Sequence, residues 1–459
     1  MKNKRIVVLL KYYKGELNPF DGAALECALE TGSKEVIVLS MAPMSALNVF
    51  QGLTRLGVKG IFISDALYAG SDTLATSLVL EKAIKRINPD LVFCGRQSVD
   101  GDTAQVPPML AQRLGFTIKS KVIEFDGERM TLRNGECFLA QSNTVVTFEK
   151  IRALRFPSIF SKIGEVDIWD NKILSLSQEE CGLHGSPTRV KRSYESNVGR
   201  RTCQFVDNSA LDKLIQEGLQ KQRIEQSQSI QQKLDEIYFV GNVKNIAESV
   251  AERAIVLETH KKTAEEIAQE LQEKNAKNVF WEDSDDLKIL ASQVAVLMGA
   301  GLCADCISFR VENGILIMTR PALGGNVTAD IVCESKIAFA TVRTVKEEGA
   351  DVIFSVGKGA IEQIDKIKEL AKKYNAEVCC SRIVADAGRI PYEKQVGLTG
   401  RTVCPKVYVA FGVSGAVQHT CAISGAGTVI AINVDKNARI FDYADYGIID
   451  DIKNIIIGE

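Results

Sequence analysis

Short β-rich runs alternate with helical patterns in the first part of the chain. The runs are Ile6–Leu10, Val36–Ser40, Ile61–Ser64 and Leu91–Cys94, and the helical patterns between them are Ala23–Glu30, Ser45–Leu56 and Thr73–Ile87. This alternation is typical of βαβ units, in which crossover helices join parallel strands. It predicts an α/β fold class with doubly wound parallel sheets, whose ligands bind at the carboxyl ends of the strands.

The size and composition of the chain indicate a multidomain globular protein. Its 459 residues predict about two to four domains, and 46% of them are hydrophobic. The net charge of −2 gives no electrostatic reason to expect nucleic acid or an anionic membrane as a partner. No apolar run reaches the roughly 18 residues of a membrane span, and the run at Ile6–Leu10 is too short for a signal-peptide core. These features predict a cytoplasmic protein.

The cysteines and histidines argue against disulfide and metal chemistry. The twelve cysteines follow no disulfide-framework spacing, and the pair Cys303 and Cys306 has no second pair at zinc-ribbon spacing. The three histidines are His184, His260 and His419. We therefore expect no metal site and interpret most cysteines as small buried apolar residues.

The rest of the chain divides into segments of different pattern. Short strands joined by turns between Lys121 and Phe148 predict a mixed or antiparallel extension of the first sheet. Residues 185–236 are interpreted as a linker followed by a strongly polar connecting helix, which we expect to be solvated. The predicted domains are 1–184, the linker and polar helix at 185–236, an α/β domain at 237–348 and another at 349–459.

A Gly-rich turn stands out in the last predicted domain. An apolar strand, Val407–Phe411, runs into Gly412-Val-Ser-Gly415, and a helical pattern begins at Ala416. Such a turn lets phosphates approach free backbone N–H groups at a helix N-terminus. Because the turn lacks the full GxGxxG spacing, it is weak evidence by itself. The pattern after it predicts a strand at Arg439–Phe441 and a helix at Asp451–Ile457.

Several motifs around this turn occur in an order that resembles a known family. Residues 379–446 contain CSRIVADAGRIPYEKQVGLTGRTV, YVAFGVSGAVQH and VIAINVDKNARIFDYADYG, and they resemble the FAD-binding domain of the electron-transfer flavoprotein alpha subunit. Residues 1–170 resemble the beta subunit of the same family. The chain is therefore similar to a fused and shortened electron-transfer flavoprotein. The resemblance implies adenine-nucleotide-alpha-hydrolase-like halves and a C-terminal, Rossmann-like FAD-binding domain.

The resemblance also implies which residues bind FAD. It places Arg382 by the isoalloxazine ring, Thr399 near its N5 atom and His419 at its C2 carbonyl. It implies that Asn433 and Asp445 hold the adenosine end. The full implied set is Ser381, Arg382, Gln395, Gly397, Thr399, Gly400, Gly412, Ser414, Gly415, Gln418, His419, Asn433 and Asp445.

The residues themselves leave other interpretations of these positions open. Arg382 can form a surface ion pair, His419 can be a core histidine bonded to a backbone carbonyl, and Asp445 can cap the C-terminal helix. A cation at Arg382, or a protonated or strongly donating His419, would stabilise negative charge on reduced flavin. Leu398 stands where the family usually has glutamine. Leucine has no amide group, so one hydrogen bond that can tune the redox properties of the flavin is lost.

The beta-like half carries motifs that the family uses for a second nucleotide, either AMP or a second FAD. One motif is Asn18-Pro-Phe-Asp21, and the other begins at Gly95, directly after a strand. Backbone N–H groups and a hydroxyl at the start of the next helix can bind phosphate, although a capped helix after a βα loop is the simpler alternative. The implied contacts are Asn18, Phe20, Gly95, Asp102, Thr103 and Gln105.

The segment Ile151–Lys162 aligns with a loop by which the family recognises its partners. The resemblance implies that Phe156 is the apolar anchor for an acyl-CoA dehydrogenase-type flavoenzyme. The basic neighbours Arg155 and Lys162 can frame that contact, since an aromatic anchor with a charged rim is a common hot-spot arrangement. A buried aromatic side chain in a structured loop is the alternative.

Three functions are compatible with these observations. The first is a redox carrier in which FAD performs the chemistry and no side chain acts as nucleophile or base. Its electrons come from a flavin dehydrogenase and pass to a downstream acceptor, for example one linked to ferredoxin or quinone. The second is an electron-bifurcating version with FAD in both halves and NADH as donor. The third is an adenine-nucleotide-binding regulatory module.

Overall fold

Parallel strands joined by helices make up most of the chain, as the alternating pattern predicts. The computed structural model describes residues 1, 3–195, 199–220, 232–325, 327–343, 350–397 and 400–455. The strands in chain order are Arg5–Leu9 (β1), Tyr12–Tyr13 (β2), Glu16–Leu17 (β3), Glu35–Met41 (β4), Lys59–Ile63 (β5), Leu91–Gly95 (β6), Thr117–Phe125 (β7), Arg129–Leu132 (β8), Cys137–Leu139 (β9), Thr144–Phe148 (β10), Val166–Trp169 (β11), Thr188–Glu195 (β12), Gln204–Phe205 (β13), Leu234–Val240 (β14), Ala251–Val256 (β15), Asn278–Glu282 (β16), Gly301–Cys306 (β17), Ser308–Glu312 (β18), Ile315–Ala322 (β19), Val327–Cys333 (β20), Ala338–Val342 (β21), Val352–Val356 (β22), Glu377–Cys380 (β23), Val407–Phe411 (β24), Thr428–Ile432 (β25) and Tyr446–Ile448 (β26).

The helices are mostly short. In chain order the α-helices are Pro19–Glu30 (α1), Leu47–Gly52 (α2), Thr73–Ile87 (α3), Val106–Leu114 (α4), Asn171–Leu174 (α5), Leu211–Gln220 (α6), Lys244–Val250 (α7), Ala264–Glu273 (α8), Asp285–Met298 (α9), Ile364–Lys373 (α10), Arg382–Asp386 (α11) and Val417–Thr420 (α12). Short 3₁₀ segments are Met44–Ala46, Leu53–Leu56, Ala66–Tyr68, Gln178–Glu180, Asn208–Ala210, Leu323–Gly325, Lys358–Gln363, Tyr392–Lys394, Cys421–Ile423, Arg439–Tyr443 and Ile452–Asn454. Within the described ranges, no helix combines the length and apolar character that crossing a membrane requires.

The chain folds into two compact units. Unit 1 comprises Met1–Arg192, Ile230–Leu323 and Ala329–Val342, and unit 2 comprises Ser193–Ser229, Gly324–Thr328 and Arg343–Glu459. These units are coarser than the four segments expected from the sequence, whose boundaries stay a prediction.

Unit 1 contains two sheets with parallel strands. The larger sheet has the order β11-β5-β4-β1-β6-β10-β7-β8-β9. Its strands are parallel from β11 to β7, whereas β8 and β9 add on antiparallel, so the predicted mixed extension is confirmed. Because β4 and β6 lie on opposite sides of β1, the strand order reverses between β1 and β6, where an open α/β sheet binds its ligands. The second sheet, β15-β14-β16-β21-β17, is parallel throughout.

Unit 2 is built on a parallel sheet of order β13-β26-β25-β24-β22-β23. Every residue of β22, β24 and β25 is buried, as is usual for central strands that helices cover on both faces. The order reverses between β22 and β24, because β23 lies on one side of β22 and the later strands lie on the other. This reversal puts a second ligand-binding crevice at the carboxyl ends of β22 and β24.

Three expectations about local structure are wrong. The polar connecting helix is not solvated over α6, because Leu211, Leu214 and Ile215 are buried in the core of unit 2. The predicted strand at Arg439–Phe441 is a 3₁₀ segment closed by local hydrogen bonds. The predicted C-terminal helix is reduced to a 3₁₀ turn at Ile452–Asn454, and its end at 456–457 lies outside the described residues.

Candidate nucleotide sites

A cavity of about 750 Å³ opens at the carboxyl edge of the larger sheet of unit 1. Residues at or just after the ends of β1, β4, β5 and β6 line it, together with the start of α3 and the loop before α4. Asp72 fixes the start of α3, since its carboxylate accepts the N–H of Ala75 at 3.0 Å. The cavity therefore lies at the reversal of strand order, where the fold is expected to bind a ligand.

The loop before α4 presents a run of backbone donors to this cavity. Asp102 and Ala104 have φ values of 51° and 55°, which alternate with ordinary backbone conformations. Within the described chain, no hydrogen bond uses the backbone N–H groups of residues 103–106, and all four residues line the cavity. Successive N–H groups in such an alternating conformation form a concave anion site. The loop is therefore suited to hold a phosphate group.

Asp21 ties this part of the cavity together. Its carboxylate accepts the backbone N–H of Lys11 at 2.8 Å and that of Gly95 at 2.9 Å, so it joins the segment after β1 to the end of β6. Burial raises the pKa of Asp21 to about 7, although hydrogen bonds from Lys11, Asn18 and Gly95 oppose the rise. Sequence reasoning did not identify Asp21, even though it closes the Asn18-Pro-Phe-Asp21 motif.

Four of the six expected second-nucleotide residues line the cavity. They are Asn18, Gly95, Thr103 and Gln105. The Asn18 amide donates to the Gln97 carbonyl at 2.9 Å, which connects the start of α1 to the loop before α4. Gly95 is required by packing, because a Cβ there would lie 2.3 Å from Oδ1 of Asp21.

Three of the expected side chains, including that of Gln105, have partners within the protein. Gln105 lines the cavity, but its amide accepts from Thr73 at 2.7 Å and donates to the Leu302 carbonyl at 3.1 Å. Asp102 accepts from the Gln97 amide at 2.9 Å, and Phe20 packs under the Arg96 and Lys150 side chains. Neither Asp102 nor Phe20 lines the cavity. These three side chains therefore shape the loop, and their direct contacts with a ligand stay a prediction.

Unit 2 gathers most of the expected flavin residues at the carboxyl edge of its sheet. Ser381 follows β23, Gly412 follows β24 and Asn433 follows β25. Gly357 follows β22 and donates to the Phe411 carbonyl at 2.8 Å, so the loops after β22 and β24 lie side by side. These residues surround the crevice where the strand order reverses.

Like residues 103–106 of unit 1, the loop after β24 has backbone N–H groups for which the described residues provide no acceptor. Within the described residues, no hydrogen bond uses the backbone N–H groups of 413–418, a stretch that includes Ser414 and Gln418. Gly412 and Gly415 have φ values of 60° and 82°, which favour glycine. A Cβ at Gly415 would lie 2.0 Å from the Ile440 nitrogen, and one at Gly412 would lie 2.6 Å from the Ala360 nitrogen. The two glycines thus let this loop pack tightly while its N–H groups stay available to phosphate.

The segment that begins at Gln395 lies against this loop. Val396 donates its N–H to the Cys380 carbonyl at 2.8 Å, at the end of β23, and Gln395 is buried. A Cβ at Gly397 would lie 3.0 Å from the Gln418 carbonyl, and Gly400 bonds back to the Gly397 carbonyl at 3.0 Å. The structure therefore brings Gln395, Gly397 and Gly400 to the same edge. Leu398 and Thr399 lie outside the described residues.

Arg382 forms the ion pair that was its alternative interpretation. Its Nε lies 3.3 Å from the Asp386 carboxylate one helical turn away, and the Tyr392 hydroxyl donates to the same carboxylate at 2.8 Å. The Arg382 side chain is partly exposed beside Ser381. Its proximity to the isoalloxazine ring stays a prediction.

His419 is a buried, neutral histidine. Its Nε2 lies 2.7 Å from the hydroxyl of Tyr408, which is fully buried in β24. Burial lowers the pKa of His419 to about 4, and the backbone of Val396 offsets this only in part. Of the two forms allowed by the sequence, the structure therefore disfavours the protonated one at pH 7. Its contact with the flavin C2 carbonyl stays a prediction.

The two residues expected at the adenosine end are separated by the fold. Asn433 lies at the carboxyl edge, where its amide donates to the Val413 carbonyl at 2.9 Å and so supports the loop after β24. Asp445 lies before β26, at the opposite edge, where its carboxylate accepts the N–H of Val429 at 2.8 Å and pairs with Arg201 at 2.5 Å. Asp445 is therefore not brought to the crevice, and it does not cap a helix.

The expected partner loop carries more exposed apolar residues than the single anchor predicted. Phe156 is 96% exposed, so the buried-aromatic alternative is wrong. Ile159 and Phe160 are 85% and 87% exposed, and sequence reasoning did not identify them. Arg155 is bound by the buried Glu26 carboxylate at 2.6 Å, so it fixes the loop, whereas Lys162 is exposed. The loop therefore exposes three large apolar side chains, which is unusual for residues of these types.

Among the residues that the structure describes, no group of three or more potential metal ligands occurs. All twelve cysteines are free thiols, and many of them are buried, as expected.

Comparison with known proteins identifies two family domains, and their matched ranges contain the loops of the two candidate sites. The family model of the electron transfer flavoprotein domain matches residues 6–137 and 240–368, and that of the electron transfer flavoprotein FAD-binding domain matches residues 347–424. The first matched range contains the whole cavity-lining loop. The last one contains the loop after β24 and the segment that begins at Gln395.

Proteins from three bacteria are each similar to part of the chain. It is 37% identical over 213 residues to the electron transfer flavoprotein subunit alpha of Thermoanaerobacterium thermosaccharolyticum, which covers 36% of this chain and 64% of that subunit. It is 35% identical over 198 residues to the electron transfer flavoprotein subunit beta of Clostridium acetobutylicum, which covers 40% of this chain and 76% of that subunit. It is 34% identical over 200 residues to the acryloyl-CoA reductase electron transfer subunit beta of Anaerotignum propionicum, which covers 33% of this chain and 54% of that subunit.

The chain thus spans less than two thirds of the first and last of these relatives. The matches to alpha and beta subunits fit a fusion of two shortened halves in one chain. With the family domains matched over more than half of its length, the chain belongs to the electron transfer flavoprotein family and carries that family's FAD-binding domain.

Proposed function

We propose that this chain is an electron carrier that holds FAD at the carboxyl edge of unit 2 and an adenine nucleotide in the cavity of unit 1. Bound FAD supplies the redox chemistry, and the protein binds and orients it. The observation that carries the proposal is the run of free N–H groups at 413–418, held by Gly412 and Gly415. This run fits the diphosphate of FAD, because backbone donors without protein partners favour an anion.

The side chains around this loop orient the flavin rather than react with it. Asn433 holds the loop through the Val413 carbonyl, and the segment from Gln395 to Gly400 packs against the Gln418 carbonyl. Arg382 supplies a cation near the end of β23 that favours negative charge on the reduced ring. No described residue is required to act as a nucleophile or as a general base.

The cavity of unit 1 suits a second nucleotide. Its anion loop at 103–106 takes the phosphate, and the apolar residues at the ends of β1, β4 and β5 face the rest of the ligand. AMP satisfies both features. The Pro107-Pro108 pair at the start of α4 contributes no N–H groups, so the anion loop itself supplies the donors.

We propose that electrons arrive from a flavin dehydrogenase of the acyl-CoA dehydrogenase type. The exposed residues Phe156, Ile159 and Phe160 form an apolar anchor on unit 1, and Lys162 adds a cation beside them. The acryloyl-CoA reductase electron transfer subunit among the similar proteins supports a donor that acts on coenzyme A thioesters. Electrons then pass to a downstream acceptor, for example one linked to ferredoxin or quinone.

Anaerobic electron transfer tests this function. The FAD-loaded chain is mixed with an acyl-CoA dehydrogenase that its own substrate has reduced, and the flavin absorbance is followed. We expect the FAD of the chain to be reduced faster than by the thioester substrate alone. FAD that is bound yet stays oxidised with several such dehydrogenases would contradict the proposed donor.

The size of the cavity supports a second candidate function. A volume of about 750 Å³ lies in the upper part of the range for small-molecule sites, and the cavity reaches across four strand ends, about 14 Å at the usual strand spacing. This room admits a second FAD, as in an electron-bifurcating protein with NADH as donor. Reduction of the chain by NADH alone, with two FAD per chain, would favour this candidate over the AMP-containing carrier.

A further inference from the structure

Two fully buried polar groups face each other beneath the flavin edge of unit 2. Tyr408 lies in β24 with none of its surface exposed, and His419 follows the Gly-rich turn with 5% exposed. The Tyr408 hydroxyl oxygen and the His419 Nε2 are 2.7 Å apart, and the ring centroids are 6.1 Å apart. A contact of this length contains a hydrogen bond, so one of the two groups donates a proton to the other.

Burial determines how many protons the pair holds. It raises the pKa of Tyr408 well above its ordinary value, so the hydroxyl keeps its proton. It lowers the pKa of His419 to about 4, so the imidazole is neutral at pH 7 and carries one N–H. The pair therefore holds two protons, and the question is which ring nitrogen carries the imidazole proton.

The surroundings of the second ring nitrogen favour one answer. Nδ1 of His419 is buried, and it has no hydrogen-bond partner among the described residues. If Nε2 carried the proton, Nδ1 would be a buried acceptor next to the Val396 backbone, whose influence on the ring is that of an acceptor and not of a donor. If the hydroxyl donates to Nε2, Nδ1 carries the proton. Nδ1 is then a buried donor beside the acceptor of the Val396 backbone, which costs less free energy than a buried acceptor without a donor.

We propose that Tyr408 is a positioning residue of the flavin site, which acts through His419: its hydroxyl donates to Nε2 and confines the imidazole proton to Nδ1. Val396 belongs to the segment from Gln395 to Gly400, so the nitrogen that Tyr408 does not reach is buried beside the backbone of that segment. The proposal rests on FAD binding at this edge. Its consequence is that a neutral imidazole, not an imidazolium cation, supports the segment from Gln395 to Gly400 across the physiological pH range.

Nitrogen NMR of the histidines tests the proton placement directly. The chain has only three histidines, and His184 and His260 are exposed, so the His419 signals are identified by their absence in His419→Gln. In two-bond ¹H–¹⁵N spectra of the FAD-loaded chain we expect the neutral Nδ1–H form, unchanged from pH 6 to pH 8. A neutral Nε2–H form, or a protonated ring at pH 7, would overturn the proposal.

Removal of the hydroxyl provides the second measurement. In Tyr408→Phe we expect the Nε2–H form to appear and FAD affinity to fall about threefold to tenfold, the usual size of one hydrogen bond. The control is Tyr374→Phe, which removes a tyrosine hydroxyl that donates to Asp212 in the same unit and should change neither readout. An unchanged tautomer in Tyr408→Phe would contradict the role of Tyr408.

The proposed function and the positioning role of Tyr408 can be contradicted separately. If the chain binds no FAD, the proposed function fails, but the tautomer of the flavin-free chain is still readable. If Tyr408→Phe does not fold, the wild-type spectrum alone decides between the two proton placements. If FAD binds and the Nε2–H form is found, only the positioning role is lost.

Discussion

The two candidate nucleotide sites both present backbone N–H donors, but the loops that carry these donors are fixed in different ways. Each edge presents a run of backbone N–H groups for which the described residues provide no partner, at 103–106 in unit 1 and at 413–418 in unit 2. In unit 1, the side chains of Asp102 and Gln105 hold the loop through hydrogen bonds. The buried Asp21 carboxylate joins the segment after β1 to Gly95, at the end of β6 from which the loop departs. In unit 2, Gly412 and Gly415 hold it through close backbone packing.

The difference predicts different sensitivities. An edge that contains a buried carboxylate such as Asp21 responds to pH, because the protonation of that group changes its hydrogen bonds. A loop held by glycines at positive φ responds to any added side chain and not to pH. Substitutions and changes of pH should therefore affect the two candidate sites of the chain differently.

The largest effect is expected from Gly415→Ala. Positive φ costs about 1–2 kcal/mol for alanine, and overpacking against Ile440 adds about 1–3 kcal/mol. We expect the loop to move and the FAD content per chain, measured by flavin absorbance, to fall below about a tenth. Gly388→Ala is the matched control, because Gly388 also has a positive φ, +66°, but an added Cβ there would meet nothing within 4 Å, so this variant should keep its FAD. Full FAD occupancy in Gly415→Ala would contradict the role of the turn.

A pH-dependent effect on stability comes next, and in unit 1 it is expected from Asp21. The pKa of Asp21 is about 7 in the folded chain and about 3.9 in an unfolded one. Between these pH values the folded state binds more protons, so the free energy of unfolding falls as pH rises from about 4 to 7, by up to about 4 kcal/mol, and then levels off.

The fluorescence of tryptophan measures this effect selectively. Trp169 and Trp281 both belong to unit 1, so their emission during denaturant unfolding reports on that unit. We expect Asp21→Asn to flatten the pH dependence between 5 and 7.5, while flavin fluorescence reports on unit 2 and stays unaffected. An equal pH slope in Asp21→Asn would show that another group is responsible.

A smaller effect is expected from Gly95→Ala. The new Cβ would contact Oδ1 of Asp21 and lie 2.6 Å from the Phe20 Cβ, which costs about 1–3 kcal/mol. We expect AMP affinity, measured by calorimetry on nucleotide-stripped protein, to fall at least tenfold while FAD content is unchanged. Gly52→Ala, where nothing lies within 4 Å, is the control. Loss of FAD together with AMP would mean that the two edges are not independent.

The smallest effect is expected from Phe156→Ala, which leaves both nucleotide edges intact. Truncating a central aromatic anchor costs about 1–2 kcal/mol, so electron transfer from the partner dehydrogenase should slow about tenfold at subsaturating concentration. FAD content should not change. Leu139→Ala, an exposed apolar residue elsewhere in unit 1, serves as the control. Equal transfer rates for Phe156→Ala and wild type would remove the recognition role.

Local sequence patterns predict the sheets and the Gly-rich turn well. The runs that become β1, β4, β5 and β6 are continuous apolar segments, and parallel strands buried on both faces require such segments. Gly412 and Gly415 are identifiable because their conformation depends on their own backbone. Even α6 carried a readable signal, since Leu211, Leu214 and Ile215 follow the helical period although the helix is polar overall.

Features that depend on distant partners were not predictable. The place of Asp445 depends on the pairing of β26 with β25 and on Arg201, which comes from a remote segment. The Tyr408–His419 pair needs the path of the chain after the turn, and the exposure of Ile159 and Phe160 contradicts the usual burial of such residues. Free N–H groups are likewise visible only once every hydrogen bond is placed.

The nucleotide content of the purified chain tests the central claim most directly, because the two edges predict two independent sites. The nucleotides are released by acid, separated and quantified as FAD and AMP per chain. The account predicts one FAD together with one AMP, or two FAD if the cavity of unit 1 holds the longer ligand. A chain with one FAD and an empty unit 1 that binds neither AMP nor FAD on titration would contradict it.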